Sequence, residues 1–219
     1  MVVRSLLIAS LLAGLLPLTG HAQMAPIPAR FYVGLGVNML SNVPFNDQEI
    51  VPRIIGPSAT IGTQFTPRLA VQVGVSYHRE KYATTYEFAP APGSASSVTA
   101  TSRTQYFIVP VLLRYSVTAP AERFHFEVLG GATWVHAASR LTYESDGLGI
   151  IDPALRASSN SDSRFNLTLG PAVRRTLSSH LELMATGLVS AVVGENYYRF
   201  RDRLFLNTSL GVNYTFGQR

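Results

Sequence analysis

Leu204-Phe205-Leu206-Asn207-Thr208-Ser209-Leu210-Gly211-Val212-Asn213-Tyr214-Thr215-Phe216 alternates with a period of two for thirteen residues. Leu204, Leu206, Thr208, Leu210, Val212, Tyr214 and Phe216 fall on one face, and Asn207, Ser209, Gly211, Asn213 and Thr215 fall on the other. Successive side chains of a strand point to opposite faces, so this stretch predicts a strand with one apolar and one polar face. A membrane-spanning strand with lipid outside and a lumen inside carries this pattern over about ten residues.

Two further stretches repeat it. Phe31, Val33, Leu35, Val37 and Met39 share a face against Gly34, Gly36 and Asn38. Leu69, Val71, Val73, Val75 and Tyr77 oppose Ala70, Gln72, Gly74, Ser76 and His78. Five weaker segments, at 54–65, 102–117, 124–138, 163–176 and 180–193, bring the expected number of strands to eight. The fourth is apolar on both faces, so Arg114 sets its parity, turning Phe107, Val109, Val111, Leu113 and Tyr115 outward. Pro110 lies within it and cannot donate to a ladder, which predicts a bulge there.

The joins alternate in length. Short ones fall at 66–68, 118–122 and 177–179, and longer polar ones at 41–53, 81–101, 141–162 and 194–202. Short turns on one side and long loops on the other fit a spanning barrel, with the short turns periplasmic and the long loops external. Outward parity also places Phe31, Phe65, Tyr115, Phe124, Tyr214 and Phe216 near one membrane interface. Tyr77, Phe107, Trp134 and Phe165 fall near the other, giving two aromatic girdles.

The start of the chain accounts for how such a barrel reaches its membrane. Arg4 precedes an apolar run from Leu6 to Leu18, and Gly20-His21-Ala22 follows, the layout of an export signal expected to be cleaved after Ala22. This run is shorter than the roughly 20 apolar residues that a spanning helix needs. With no cysteine in the chain, lipid modification, disulfides and thiolate metal sites are excluded. Cleavage leaves one expected domain over 23–219 and lowers the net charge from +5 to +4. Export argues against nucleic acid as the partner of that surplus and favours anionic lipid or lipopolysaccharide.

The opening Phe31-Tyr32-Val33-Gly34-Leu35-Gly36-Val37-Asn38 and the closing Leu210-Gly211-Val212-Asn213-Tyr214-Thr215-Phe216 resemble the small outer-membrane β-barrel proteins, the OmpA-like, OmpX-like and PorT-like group. The resemblance covers the whole mature chain. It implies an all-β fold, an eight-stranded antiparallel transmembrane barrel of up-and-down meander topology, in the outer membrane of a Gram-negative bacterium. It also implies that Phe216 resembles the terminal aromatic read by the barrel-insertion machinery, although Gly217, Gln218 and Arg219 follow it here. No peptidoglycan-binding segment is expected after the last strand, which disfavours a role in tethering the cell wall.

Ionisable residues within the strands fall mostly on the lumen face, as they should when a cation facing lipid at the midplane costs roughly 2–4 kcal/mol. Arg114 with Glu127, and Arg174 with Glu182, are expected as ion pairs across hairpins inside a lumen that side chains can fill. Mutual neutralisation is a simpler role for them than a gate. Arg199, Arg201 and Arg203 share a face in a stretch that interleaves basic and aromatic residues. They are candidates for lipopolysaccharide phosphate, against a solvated extension partly neutralised by Glu195 and Asp202. The loop at 89–97 reads from its Pro and Ser content as a mobile tip.

Some small barrels modify lipid A, which would need Ser, His and a carboxylate to converge. His125-Phe126-Glu127 and His180-Leu181-Glu182 lack a His-x-Ser arrangement, and His136 and Ser139 have opposite parity. No catalytic residue, cofactor or metal site is expected. The leading expectation is a monomeric structural or interaction barrel presenting its loops to an external protein or ligand. A narrow porin-like channel for small solutes is the alternative, and a lipid A deacylase or acyltransferase a more distant one.

Overall fold

The computed structural model describes residues 30–42, 54–91, 94–119, 122–146, 157–194 and 204–216. The expected signal segment, and the stretch carrying Arg199, Arg201 and Arg203, lie outside the described residues. Eight strands follow one another: β1 (Arg30–Asn42), β2 (Ile54–Gln64), β3 (Leu69–Ala91), β4 (Ser94–Ser116), β5 (Phe124–Asp146), β6 (Ala157–Thr176), β7 (Leu181–Val192) and β8 (Leu204–Phe216). Each pairs antiparallel with its neighbours in sequence, and β1 also pairs with β8, so the sheet closes. Closure leaves no unpaired edge in the spanning region, as lipid requires.

Burial follows the predicted parity. Phe31, Val33, Leu35 and Val37 are exposed on the outside of β1, Leu35 at 74%, while Tyr32 and Asn38 are buried. In β4, Phe107, Val111, Leu113 and Tyr115 point out, and Ile108, Leu112 and Arg114 point in. So many large apolar side chains on one continuous surface mark contact with lipid rather than water. Their rows are capped by paired aromatics. Phe31 sits opposite Phe216 near the short turns, while Tyr77 faces Phe107 and Trp134 faces Phe165 toward the other end. The rings of Phe107 and Trp134 meet edge to face at 6.1 Å.

Short turns at 65–68 and 177–180, together with the ends of β4 and β5 at 117–119 and 122–123, lie at one end of the barrel, called here the turn end. At the opposite, hairpin end, the strands are longer than expected. The join read over 81–101 is mostly strand, because β3 and β4 stay paired through Ala91↔Ser94, and β5 continues to Asp146. The expected loop tip at 89–97 therefore belongs largely to a paired ribbon. Pairing of β2 with β3 stops at Ser58↔Ser76, and that of β6 with β7 at Asn166↔Val192. Beyond those points β3, β4, β5 and β6 continue as a four-stranded wall on one side of the mouth. The lumen ends between His78, fully buried, and Tyr82, which has lumen parity yet is 65% exposed.

Pro110 forms no bulge. The β3–β4 register is the same on both sides of it, from Val73↔Val111 to Ser76↔Ile108, and only the ladder is interrupted. Gly74 supplies the room, since a Cβ there would lie 3.0 Å from the proline ring. Pro171 repeats the arrangement opposite Gly187, with the β6–β7 register again preserved. A missing donor can thus be absorbed without inserting a residue; the close fit is particular to Gly74, since a Cβ at Gly187 would meet open space.

Candidate functional site

The lumen is filled in layers. Near the turn end, β4 delivers Arg114, β5 Glu127, β6 Arg174 and β7 Glu182, all on lumen parity. Arg114 lies opposite Leu129, and Glu127 opposite Ser116, so this pair is diagonal rather than directly opposed. Arg174 and Glu182 are offset in the same way, facing Met184 and Thr176. The offset lets a single carboxylate reach two guanidinium groups. Glu127 lies 3.5 Å from Arg114 Nε and accepts a hydrogen bond from Arg174 Nε at 2.9 Å. Arg174 donates through Nη1 to Glu182 at 2.5 Å. Two guanidiniums and two carboxylates thus form one neutral chain across four strands rather than two separate pairs.

Tyr32 closes this layer from the β1 side. The Arg114 guanidinium stands 4.6 Å from the centre of its ring, and its hydroxyl donates to Gln72 at 3.2 Å. The ring fits because β2 has Gly62 beneath it; a Cβ there would come within 2.3 Å of Tyr32 Cζ and its hydroxyl oxygen. Sequence reasoning did not single out Tyr32 as a lumen residue. Its signal was parity, since it is the bulky member of a face otherwise made of Gly34, Gly36 and Asn38.

The next layer is apolar and consists of Leu112, Leu129, Ala172, Met184 and Leu188. Toward the hairpin end a polar layer follows, in which Thr133, Thr168 and Ser190 link their hydroxyls at 2.6 and 2.8 Å. Thr186 and Ser209 pair at 2.6 Å, and Asn38 donates to Asn207. His78 lies in the lumen against Ser76 at 3.3 Å. A cavity of about 40 Å³ remains beside Gly34, Gly36, Thr60 and Ser209, where small side chains meet. That is room for a few water molecules, since one needs roughly 10–15 Å³ of such space.

The outward face holds one arrangement that parity alone obscured. His136 and Ser139 do stand apart, but His136 is paired with Ser163 of the neighbouring strand, with Nδ1 and Oγ 2.8 Å apart. Trp134 stacks on the imidazole at 5.9 Å. Among the described residues no carboxylate hydrogen-bonds the imidazole, so the group that orients a catalytic histidine is missing from this pair.

A filled, closed, lipid-facing barrel of this size invites comparison with known proteins. The family model described as the outer membrane protein beta-barrel domain matches residues 8–216. The chain belongs to that family. As an outer membrane protein beta-barrel it resides in the outer membrane of a Gram-negative bacterium. Among solved structures it is similar to a major outer membrane protein from Thermus thermophilus, at 15% identity and a TM-score of 0.57, covering 87% of this chain and 100% of that one. Ail, the attachment invasion locus protein of Yersinia pestis, solved with the heparin analogue sucrose octasulfate, matches at 12% identity and a TM-score of 0.51, with 87% and 100% coverage. OprG of Pseudomonas aeruginosa matches at 9% identity and a TM-score of 0.50, with 86% and 96% coverage. At such identities the likeness concerns the fold. No curated protein sequence matches the chain.

Proposed function

We propose that this is a non-conducting outer-membrane barrel with a structural or interaction role, performed by its lipid-facing surface and by the wall beyond its rim. Its short turns face the periplasm and its long hairpins face outward, the arrangement outer-membrane barrels adopt. The observation that carries this reading is the lumen. Its ionic layer is neutral, and its apolar layer seats Leu112 and Leu129 at 1% and 0% exposure.

The wall is the counterpart of that seal. β3 to β6 rise past the rim on one side, and both faces of the ribbon are exposed, Tyr82 and Tyr86 on one and Lys81 and Thr85 on the other. Such a surface suits contact with an external protein or ligand. Arg199, Arg201 and Arg203 are proposed to engage lipopolysaccharide phosphates, and Phe216 the barrel-insertion machinery. No catalysis is required of any residue, and a monomer suffices.

Planar-bilayer recording of the purified, refolded protein tests the reading against a narrow channel. The natural sequence is expected to give no sustained conductance steps. Glu182→Ala, and Glu127→Ala where it folds, should remain silent or show brief events as the ionic layer loosens. Steady openings from the natural sequence would make it a pore.

A further inference from the structure

Four cations stand together on the outside of the wall. Lys81 of β3 is the direct cross-strand partner of Arg103 of β4, and Arg103 is the direct partner of Arg140 of β5. Arg79 lies two residues below Lys81 on the same face. All four are exposed. With strands spaced about 4.8 Å apart, the three partners line up over roughly 10 Å. Like charges directly opposite one another destabilise a sheet, and here two such pairs are adjacent.

Nothing among the described residues offsets them. None of the four forms an ion pair with a described carboxylate, whereas Asp162 is engaged by Arg164 at 2.5 Å. Glu80, next in sequence to Arg79, has the opposite parity. Glu144, which shares their face, is partnered with Thr99, four residues further along the ribbon than Arg103 and about 13 Å away along the strand.

Their depth says what does offset them. Tyr77, Phe107 and His136 form one cross-strand row, with Trp134 and Phe165 beside it, and this aromatic band marks the upper membrane interface. The Lys81-Arg103-Arg140 row lies four residues further out on each strand, about 13 Å along it, and still points away from the barrel. At that height an outward side chain meets the headgroups of the surrounding leaflet. Planar guanidiniums bind phosphate through two parallel hydrogen bonds, and Lys81 adds a compact charge.

We infer that Arg79, Lys81, Arg103 and Arg140 form a docking row for the phosphate groups of a phosphorylated glycolipid in the outer leaflet. The inference rests on the proposed outward direction of the hairpins. It concerns residues far in sequence from Arg199, Arg201 and Arg203. Bridging phosphate turns a repulsive row into a cross-strand clasp, so bound lipid should also stiffen the base of the wall.

Trp134 is the single tryptophan of the chain and sits in the aromatic band below the row, which makes it the reporter. The full-length protein is refolded in neutral detergent and titrated, by Trp134 emission, with diphosphorylated lipid A, the same lipid after phosphatase treatment, phosphatidylglycerol, or inorganic phosphate. The natural sequence should saturate with diphosphorylated lipid A and respond weakly to the other three. Lys81→Gln/Arg103→Gln/Arg140→Gln should weaken that binding by at least about tenfold, as loss of several charge-assisted contacts implies. Its lipid-free form should unfold at the same urea concentration as the natural protein or a higher one, because repulsion has been removed. Equal affinity of the two proteins would overturn the row. Equal response to inorganic phosphate would reduce it to a free anion site, and equal response to phosphatidylglycerol would deny the glycolipid. Either of these overturns the inference while leaving the non-conducting reading intact, since that is read by conductance.

Discussion

Glu127 has 1% of its side chain exposed and lies between two guanidinium groups. Removing a partner from a buried ionic group costs about 3–5 kcal/mol, because the remaining charge stays desolvated. Glu127→Ala should therefore destabilise the barrel by about that amount, chiefly through Arg114, since Arg174 keeps Glu182. Arg114→Met/Glu127→Leu should cost much less than the sum of the two single changes. Urea unfolding in lipid vesicles, followed by Trp134 emission, checks both, and additive losses would show that the two side chains do not depend on each other. These four charges were legible because lipid forbids them on the outer face, which leaves the lumen. Their convergence was not legible, because which residues meet across a barrel depends on the stagger between strands. Sequence spacing fixes that stagger only within one hairpin.

At the scale of the strand, alternation is visible only where two different media face the two sides. β1, β3 from Leu69 to Tyr77, and β8 have lipid on one side and packed lumen on the other, and their sequences show it residue by residue. From Tyr82 to Glu87 both faces of β3 carry exposed residues, so no face there needs apolar residues. The ribbon is written in Thr, Ser and Ala, which reads as loop. What remains there is the ladder with small cross-strand links such as Thr85 to Thr99, whose hydroxyls lie 3.0 Å apart. The Pro110 position taught a related lesson, since the cue for it lay in Gly74 on another strand. If the wall is an appendage, replacing residues 84–100 by Asn-Gly, which suits a two-residue hairpin turn, should leave the barrel intact. The trimmed protein is expected to keep the heat-dependent gel mobility of a folded barrel and an unfolding free energy within about 1 kcal/mol of the natural protein, as for surface changes away from the core. A larger loss would show that the wall supports the barrel.

The whole molecule separates its tasks by direction. Inward, a neutral ionic layer and an apolar layer occupy the lumen; sideways, it offers apolar side chains and aromatics to lipid; beyond one rim, four strands carry a wall with a basic row at its base. Barrel closure was foreseeable, because a chain with eight spanning patterns must leave no edge in lipid. The lopsided height was not, since it arises from where cross-strand pairing stops, at Ser76 on one side and Asn166 on the other. Sealed interior and outward wall together form the central claim, and labelling with a membrane-impermeant maleimide tests it most directly, because the chain has no cysteine of its own. Single changes Thr85→Cys, Ser179→Cys and Leu112→Cys would be compared in intact and permeabilised cells. The predicted result is labelling of Thr85→Cys in intact cells, of Ser179→Cys only after permeabilisation, and of Leu112→Cys in neither. Labelling of Ser179→Cys in intact cells while Thr85→Cys is protected, or ready labelling of Leu112→Cys, would contradict it.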